Sequence, residues 1–203
     1  DGEDLVAHAR LVAERMLAGQ SQAQRTVHFT GRVRLGTKSP AAQKEAQVVQ
    51  GDNAAIGKEQ VYSFYFHGPA YQVVGTAWRS GDESMAAMTN PLPDNHVPAD
   101  APLATAPRLA ELCFQTAGLW EAGMEDRLAL PMRVGRMSVL RDPAKANGEL
   151  FCVARQVAAG SFDSWVVDAK GQVYVKLEDY RTVPLPSAIP EPVANVLHAT
   201  YRR

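Results

Sequence analysis

Hydrophobic and polar positions alternate along residues 25–35, RTVHFTGRVRL. This period of two gives an extended chain one apolar and one polar face, so the segment is predicted as a half-buried β-strand. Residues 5–17, LVAHARLVAERML, instead repeat apolar side chains at the spacing of an amphipathic helix, which would stop at Gly19. By hydrophobic period alone, the chain therefore begins with a helix followed by a strand.

Residues 37–58 show no period and are rich in Ala, Gln and Lys, which predicts a linker loop. Beyond them, short apolar runs alternate with turn residues, as is typical of strands joined by tight connections. The predicted strands are VYSFYF (61–66), YQVVGTAWR (71–79), ESMAAMT (83–89), LALPMRVGRMSVL (128–140), ELFCVARQVA (149–158) and FDSWVVDAKGQVYVKLEDYRTVPL (162–185). The last of these is predicted to fold back at Ala169-Lys170-Gly171 as a hairpin.

The segment 107–122 is predicted as the central helix. Thr105 can cap its start, Pro107 suits a first helical turn, and Gly123 lies just past the predicted end. Its side chains are apolar nearly all round, which is typical of a buried helix. The predicted class is therefore α+β, with one long buried helix against an antiparallel sheet of about five to seven strands.

Two polar residues of this helix, Glu111 and Gln115, are four positions apart and can hydrogen-bond to each other. A carboxyl group in apolar surroundings favours its neutral form, which suits a general acid near neutral pH. The alternative is that both side chains point to solvent at an exposed helix edge.

Two histidines lie beside turns. His96, in the loop NPLPDNHVPAD before the helix, is a candidate base partner for a buried carboxylate, with a solvated loop histidine as the alternative. His67 stands where an apolar run breaks at Gly68-Pro69, and a structural role is the simpler interpretation for it.

Composition narrows the classes of function. The 203 residues carry 21 Lys and Arg against 22 Asp and Glu, and this balance argues against nucleic acid as a partner. No apolar run reaches the roughly 20 residues of a membrane span and no signal peptide is evident, so a cytoplasmic location is expected.

The motifs of serine hydrolases, nucleotide-binding enzymes and zincins are absent from the sequence. Cys113 and Cys152 have apolar neighbours and are predicted as buried thiols, and no metal site is expected.

A family resemblance is carried by residues 62–88, YSFYFHGPAYQVVGTAWRSGDESMAAM. This run resembles the start of the second hotdog fold in polyketide synthase dehydratase domains, where a tyrosine-rich strand leads into Gly-Pro-x-aromatic-Gln, Trp-Arg and Gly-Asp-Glu. The segment 107–118, PRLAELCFQTAG, resembles the family's His-Pro-x-Leu-Leu-Asp-x-x-x-Gln helix. Residues 24–35 resemble the last strand of the first hotdog, and the resemblance makes 5–17 the strand before it rather than a helix.

The resemblance also implies roles for single residues. Glu111 corresponds to the family's catalytic Asp and Gln115 to its Gln, whereas Ala106 replaces the His at the helix start. The family's catalytic His lies in a His-x-x-x-Gly-x-x-x-x-Pro motif of the first hotdog that this sequence does not contain, so it is expected upstream of Asp1 or missing. Single-hotdog dehydratases of fatty-acid synthesis instead have a His-x-Pro loop before a helical Glu-x-x-x-Gln, and by that comparison His96, fifteen residues before Glu111, would be the base.

The residues implied as catalytic are Glu111, Gln115 and His96, and those implied as substrate-binding are His67, Gly68, Pro69, Tyr71 and Pro107. The implied organisation is terminal strands of a first hotdog at 1–36, the linker at 37–58, a hotdog domain at 59–186 and a C-terminal tail at 187–203.

The implied activity is removal of water from a β-hydroxyacyl chain carried on the phosphopantetheine of an acyl carrier protein, in a polyketide or fatty-acid synthase, with no other cofactor. The implied partners are the acyl carrier protein, other synthase domains, and a second hotdog in a homodimer or an internal pseudo-dimer. Two alternatives stay open. One is a non-catalytic hotdog that serves as a scaffold or shapes the bound chain, and the other is a hotdog thioesterase that hydrolyses the acyl chain.

Overall fold

The computed structural model describes residues 4–36, 46–51, 54–99, 101, 103 and 105–202. The chain divides into two compact units, Asp1–Pro40 and Ala41–Arg203. The first unit is a β-hairpin, in which β1 (Leu5–Arg15) pairs antiparallel with β2 (Gln24–Leu35). The strand predicted at 25–35 is therefore confirmed.

The helix predicted from the period of residues 5–17 is wrong, and the strand implied by the family resemblance is correct. The register of the hairpin gives the physical reason, because it sets Leu5 opposite Leu35 and Leu11 opposite Phe29. Cross-strand partners lie on the same face of a ribbon, so these four side chains share one apolar face of the hairpin. This pairing outweighs the helical spacing of β1, which depends on one strand alone.

The second unit contains a seven-stranded antiparallel sheet in the order β3-β4-β5-β7-β8-β9-β6. Its strands are β3 (Ile56–Gly57), β4 (Val74–Ser80), β5 (Glu83–Met88), β6 (Ala129–Val139), β7 (Leu150–Ala158), β8 (Ser161–Asp168) and β9 (Val173–Pro184). Its helices are α1 (Lys58–Val61), α2 (Pro107–Glu125) and α3 (Glu191–Tyr201). This arrangement confirms the predicted α+β class, with one long helix and an antiparallel sheet.

The long helix α2 is buried along most of its length, as its apolar surface predicted. Its ends differ from the prediction. Ala106, in a left-handed conformation with φ 45°, occupies the N-cap position, and no side chain caps the helix, so Thr105 does not serve as its cap. Gly123 lies inside the helix, which continues to Glu125. A Cβ at position 123 would lie 2.5 Å from a ring carbon of Tyr201, so this glycine permits close helix packing rather than ending the helix.

The C-terminal segment forms a helix where a tail was predicted. Leu197 and Tyr201 of α3 are fully buried. The hydroxyl of Tyr201 lies 2.9 Å from the Ser84 hydroxyl on β5, and Arg79 of β4 donates to the Tyr201 carbonyl at 2.6 Å. Helix α3 is therefore part of the second unit and covers the C-terminal half of α2.

The strand predicted at 61–66 is wrong, because α1 ends there and hydrogen-bonded turns follow it. The predicted linker at 37–58 includes β3 and the first residue of α1, while its residues 37–45 and 52–53 lie outside the described residues. No helix in the described part of the chain is long and apolar enough to cross a membrane.

Candidate active site

The predicted contact between Glu111 and Gln115 is present on α2. One helical turn separates the two side chains, and the Gln115 amide nitrogen donates to Oε1 of Glu111 at 3.0 Å. Gln115 is 2% exposed, whereas the Glu111 side chain keeps 21% of its surface accessible. Neither side chain therefore matches the alternative of an exposed helix edge.

Gln115 is held in one orientation by two further groups. Its amide nitrogen also donates to the Tyr71 carbonyl at 2.9 Å, and its amide oxygen accepts from the Tyr62 hydroxyl at 2.6 Å. A carbonyl can only accept, so the nitrogen of Gln115 must be the atom that faces Tyr71. The side chain therefore presents an N–H, and not an oxygen, to Glu111.

The Tyr62 hydroxyl is itself oriented by the backbone. It accepts from the Val74 N–H at 2.8 Å, and a backbone N–H can only donate, so the hydroxyl proton is free to point at Gln115. Burial raises the pKa of Tyr62 well above its usual range, the Val74 N–H lowers it to a smaller extent, and the nearby Glu111 raises it further. A protonated hydroxyl is thus maintained, and all the hydrogen bonds from Val74 to Glu111 donate in one direction.

His67 lies against the carboxyl group of Glu111. Its Nε2 is 2.9 Å from Oε1 of Glu111, and its side chain is 17% exposed. The ring stacks on Phe66 with centroids 4.7 Å apart and meets Tyr62 and Tyr65 edge-on. Its other nitrogen, Nδ1, is buried and has no hydrogen-bond partner among the described residues. A purely structural role for His67 does not account for its contact with the candidate acid.

The two oxygens of the Glu111 carboxyl group differ. Oε1 receives the Gln115 N–H and lies against His67. Within the described part of the chain, Oε2 has no hydrogen-bond partner. It is not among the unpaired polar atoms that are fully buried, so it keeps some contact with solvent. The geometry therefore leaves Oε2 as the oxygen that a substrate can reach.

His96 is engaged elsewhere. Its Nδ1 lies 2.8 Å from the Asn95 side-chain oxygen and its Nε2 lies 3.0 Å from the Ala101 carbonyl. Both ring nitrogens therefore face oxygen atoms of the protein rather than a site open to substrate. Among the described contacts His96 does not meet Glu111, and its catalytic role stays a prediction.

The remaining predicted residues build the frame around Glu111. Gly68 precedes a short 3₁₀ turn at Pro69–Tyr71, and the Tyr71 carbonyl at the end of this turn fixes Gln115. Pro107 is the first residue of α2. Substrate binding by His67, Gly68, Pro69, Tyr71 and Pro107 stays a prediction.

Sequence analysis missed Tyr62 and Tyr65. Both were assigned to a core strand, yet the Tyr65 hydroxyl donates to the Gln115 carbonyl at 3.2 Å, beside the Tyr62 bond to the same residue. The available signal was their spacing of three, which places two hydroxyls on one side of a helical turn. Arg108 was missed as well, and it donates to the Ala70 carbonyl at 3.1 Å and to the Pro93 carbonyl.

A second carboxylate of α2 provides a contrast. Glu121 is fully buried, and its Oε1 accepts from Thr182 at 2.8 Å and from the guanidinium of Arg127. The hydrogen bond to Glu121 raises the pKa of Arg127. Because Glu121 is closed to solvent and paired, Glu111 is the helix carboxyl group that suits chemistry on a substrate. No cluster of three or more His, Cys, Asp and Glu suited to a metal ion occurs among the described residues.

Comparison with solved structures shows the fold. The match to the dehydratase domain from the CurF module of curacin polyketide synthase covers 89% of this chain, with a TM-score of 0.64 and 19% sequence identity. The match to a trans-AT polyketide synthase dehydratase domain from Brevibacillus brevis also covers 89% of this chain, with a TM-score of 0.64 and 16% sequence identity. The CurK dehydratase domain of curacin synthase covers 81% with a TM-score of 0.57 and 16% identity. The hotdog fold implied by the sequence resemblance is thereby confirmed. This chain spans only 65%, 65% and 60% of those three chains.

No curated protein matches the chain in sequence. The family model of the polyketide synthase dehydratase N-terminal domain matches residues 37–192, which is more than half of the chain. That description names an N-terminal domain, so the finer placement of these residues in a second hotdog stays a prediction. The chain belongs to the polyketide synthase dehydratase family.

Proposed function

We propose that this chain provides the acid side of a dehydratase site, which removes water from a β-hydroxyacyl thioester on an acyl carrier protein and leaves an enoyl thioester. The observation that carries the proposal is the Glu111 carboxyl group, held at Oε1 and open at Oε2. A general acid needs this combination of a fixed position and one accessible oxygen.

In the proposed reaction, a base takes the proton from the α-carbon, and the electrons of that C–H bond form the double bond to the β-carbon. The β-carbon–oxygen bond breaks as Oε2 of Glu111 donates its proton to the departing hydroxyl, which leaves as water. Proton return from the base to Glu111 completes the cycle. Gln115 keeps the carboxyl group aligned throughout, because its own amide is fixed by Tyr62 and Tyr71. The proposed reaction uses no metal or organic cofactor beyond the phosphopantetheine that carries the chain.

The base is proposed to be a histidine. Two further CurK dehydratase structures are of inactive mutants, one with Asp replaced by Asn and one with His replaced by Phe, which supports a carboxyl group and an imidazole as the pair in that protein. Within this chain, His96 would have to exchange its bonds to Asn95 and Ala101 to serve. We therefore propose that the base comes from a segment upstream of Asp1.

A non-catalytic hotdog that holds or shapes the acyl chain is the second candidate. Two observations favour it, namely Ala106 in place of the family's helix-start His and the engagement of both His96 ring nitrogens.

The test is mass spectrometry of β-hydroxyacyl carrier proteins of several chain lengths after incubation with this chain. With an upstream-extended chain that supplies the base, we expect a product lighter by one water. This product is lost in Glu111→Gln and retained in Glu149→Gln, which removes an exposed carboxylate before β7. His96→Phe in the same assay shows whether His96 is the base.

Retention of the substrate mass with this chain and with an upstream-extended chain would contradict the dehydratase proposal and favour the scaffold. Release of a free hydroxy acid would indicate the thioesterase instead.

A further inference from the structure

The contact between His67 and Glu111 requires a proton between its two atoms. A bare ring nitrogen and a bare carboxyl oxygen 2.9 Å apart would set lone pair against lone pair. Either Nε2 of His67 donates to Oε1, or a protonated Oε1 donates to Nε2. The two arrangements differ in which oxygen of Glu111 is left to carry an acid proton.

The buried Nδ1 of His67 distinguishes the two arrangements. If Oε1 donated to Nε2, the neutral ring would carry its proton on Nδ1, and if the ring were charged, Nδ1 would be protonated as well. In both cases an N–H would be buried without an acceptor among the described residues. Buried N–H groups without partners are rarer in proteins than buried acceptors without partners. The neutral ring with its proton on Nε2 fits this surrounding best.

Oε1 then accepts two N–H groups, one from Gln115 and one from His67. An oxygen that already accepts two donors is the poorer place for the carboxyl proton, which leaves Oε2. We propose that His67 is a positioning residue, a neutral Nε2–H donor that fixes the acid proton of Glu111 on Oε2. This inference rests on the proposed function, since it names the atom that would deliver the proton to the leaving hydroxyl.

A direct test does not depend on activity. Nitrogen-15 NMR of the chain with labelled histidine separates a protonated ring nitrogen from a bare one, and comparison with the His67→Gln spectrum assigns the His67 signals among the five histidines. We expect a protonated Nε2 and a bare Nδ1 in a neutral ring near pH 7. A bare Nε2, or an imidazolium with two N–H groups, would overturn the inference.

A second test compares two variants in the water-loss assay. His67→Gln retains an N–H donor at the place of Nε2 but has no basic nitrogen, whereas His67→Phe retains only the flat shape of the ring. A positioning role predicts that His67→Phe lowers kcat by about 10²-fold with little change in KM, because the acid is misaligned, and that His67→Gln recovers most of that loss. Thermal unfolding of both variants checks that they are folded.

Equal inactivity of both folded variants would make His67 a base and overturn the positioning role, and full activity of His67→Phe would overturn it too. Failure of the proposed function looks different, because then the unsubstituted upstream-extended chain releases no water while the NMR result is unaffected.

Discussion

The hydroxyl of Tyr62 donates to the amide oxygen of Gln115 at 2.6 Å, although 53 positions separate the two residues in the sequence. This bond joins the turn after α1 to the middle of α2. It also decides which end of the Gln115 amide faces Glu111, so a residue outside the helix controls the surroundings of the candidate acid.

Replacement of Tyr62 by Phe removes this control. The Gln115 oxygen and the Val74 N–H both lose a partner, so we expect a loss of about 1–3 kcal/mol in the free energy of unfolding and a lower rate of water loss. Urea denaturation measures the first effect and the mass assay the second. Tyr71→Phe is the matched control for the stability measurement, because the Tyr71 hydroxyl accepts from Asn95 and does not belong to this chain of bonds. Equal effects of the two variants would contradict the prediction.

Replacement of Gln115 by Glu tests the orientation of the amide. The new carboxylate would face the Tyr71 carbonyl and Oε1 of Glu111, both acceptors, with no proton to offer at neutral pH. We expect marked destabilisation at pH 7 that diminishes as the pH falls and the new carboxyl group binds a proton. The control is Gln60→Glu, since the Gln60 oxygen accepts from the Gly57 N–H and a carboxylate can do the same. A loss of stability independent of pH would argue against this explanation.

Buried tyrosines predict sensitivity to alkali. Burial raises the pKa values of Tyr65, Tyr180 and Tyr201 far above the ordinary value of about 10. Above that pH the unfolded chain loses these protons while the folded protein retains them, so stability is unaffected below about pH 10 and falls as the pH rises further. Each such tyrosine contributes a slope of about 1.4 kcal/mol per pH unit. Urea denaturation at increasing alkaline pH measures the slope of the unfolding free energy against pH. A slope in Tyr201→Phe as steep as that of the unsubstituted chain would count against this account.

A methyl group at position 123 tests the packing of α3 on α2. Ala is usually the better helix residue, by about 1 kcal/mol over Gly. Here its Cβ would lie 2.5 Å from the Tyr201 ring, so we expect Gly123→Ala to destabilise the protein by about 1–3 kcal/mol through overpacking. Differential scanning calorimetry gives the sign directly, and a rise in Tm would refute the close approach.

The parts of the site that the sequence predicted are those set by spacing within one element. Glu111 and Gln115 are one helical turn apart, and the apolar surface of α2 indicates its burial, so both their contact and their setting follow from the sequence. The strands at β2 and β5 follow in the same way from alternation and turn residues.

The parts that were missed depend on contacts between elements. His67 meets Glu111 only because the turns after α1 and the 3₁₀ turn at Pro69–Tyr71 bring it there, and no local period records such an approach. The strand predicted for Tyr62 is wrong because its aromatic neighbours have high strand propensity in any setting. The contacts with α2 that hold Tyr62 in a turn leave no local pattern in the sequence. Likewise β1 needed its partner strand before its conformation was defined.

The packing of Tyr201 over Gly123 also bears on how the protein can be shortened. The region matched by the family model ends at residue 192, one position after α3 begins at Glu191. A fragment cut at that boundary would lose Tyr201. The Ser84 hydroxyl on β5 would then lose its partner, and the surface of α2 around Gly123 would be exposed to water. Stable fragments for crystallisation or carrier-protein assays should therefore extend at least to Arg202, which donates to the Gly123 carbonyl near the end of α2.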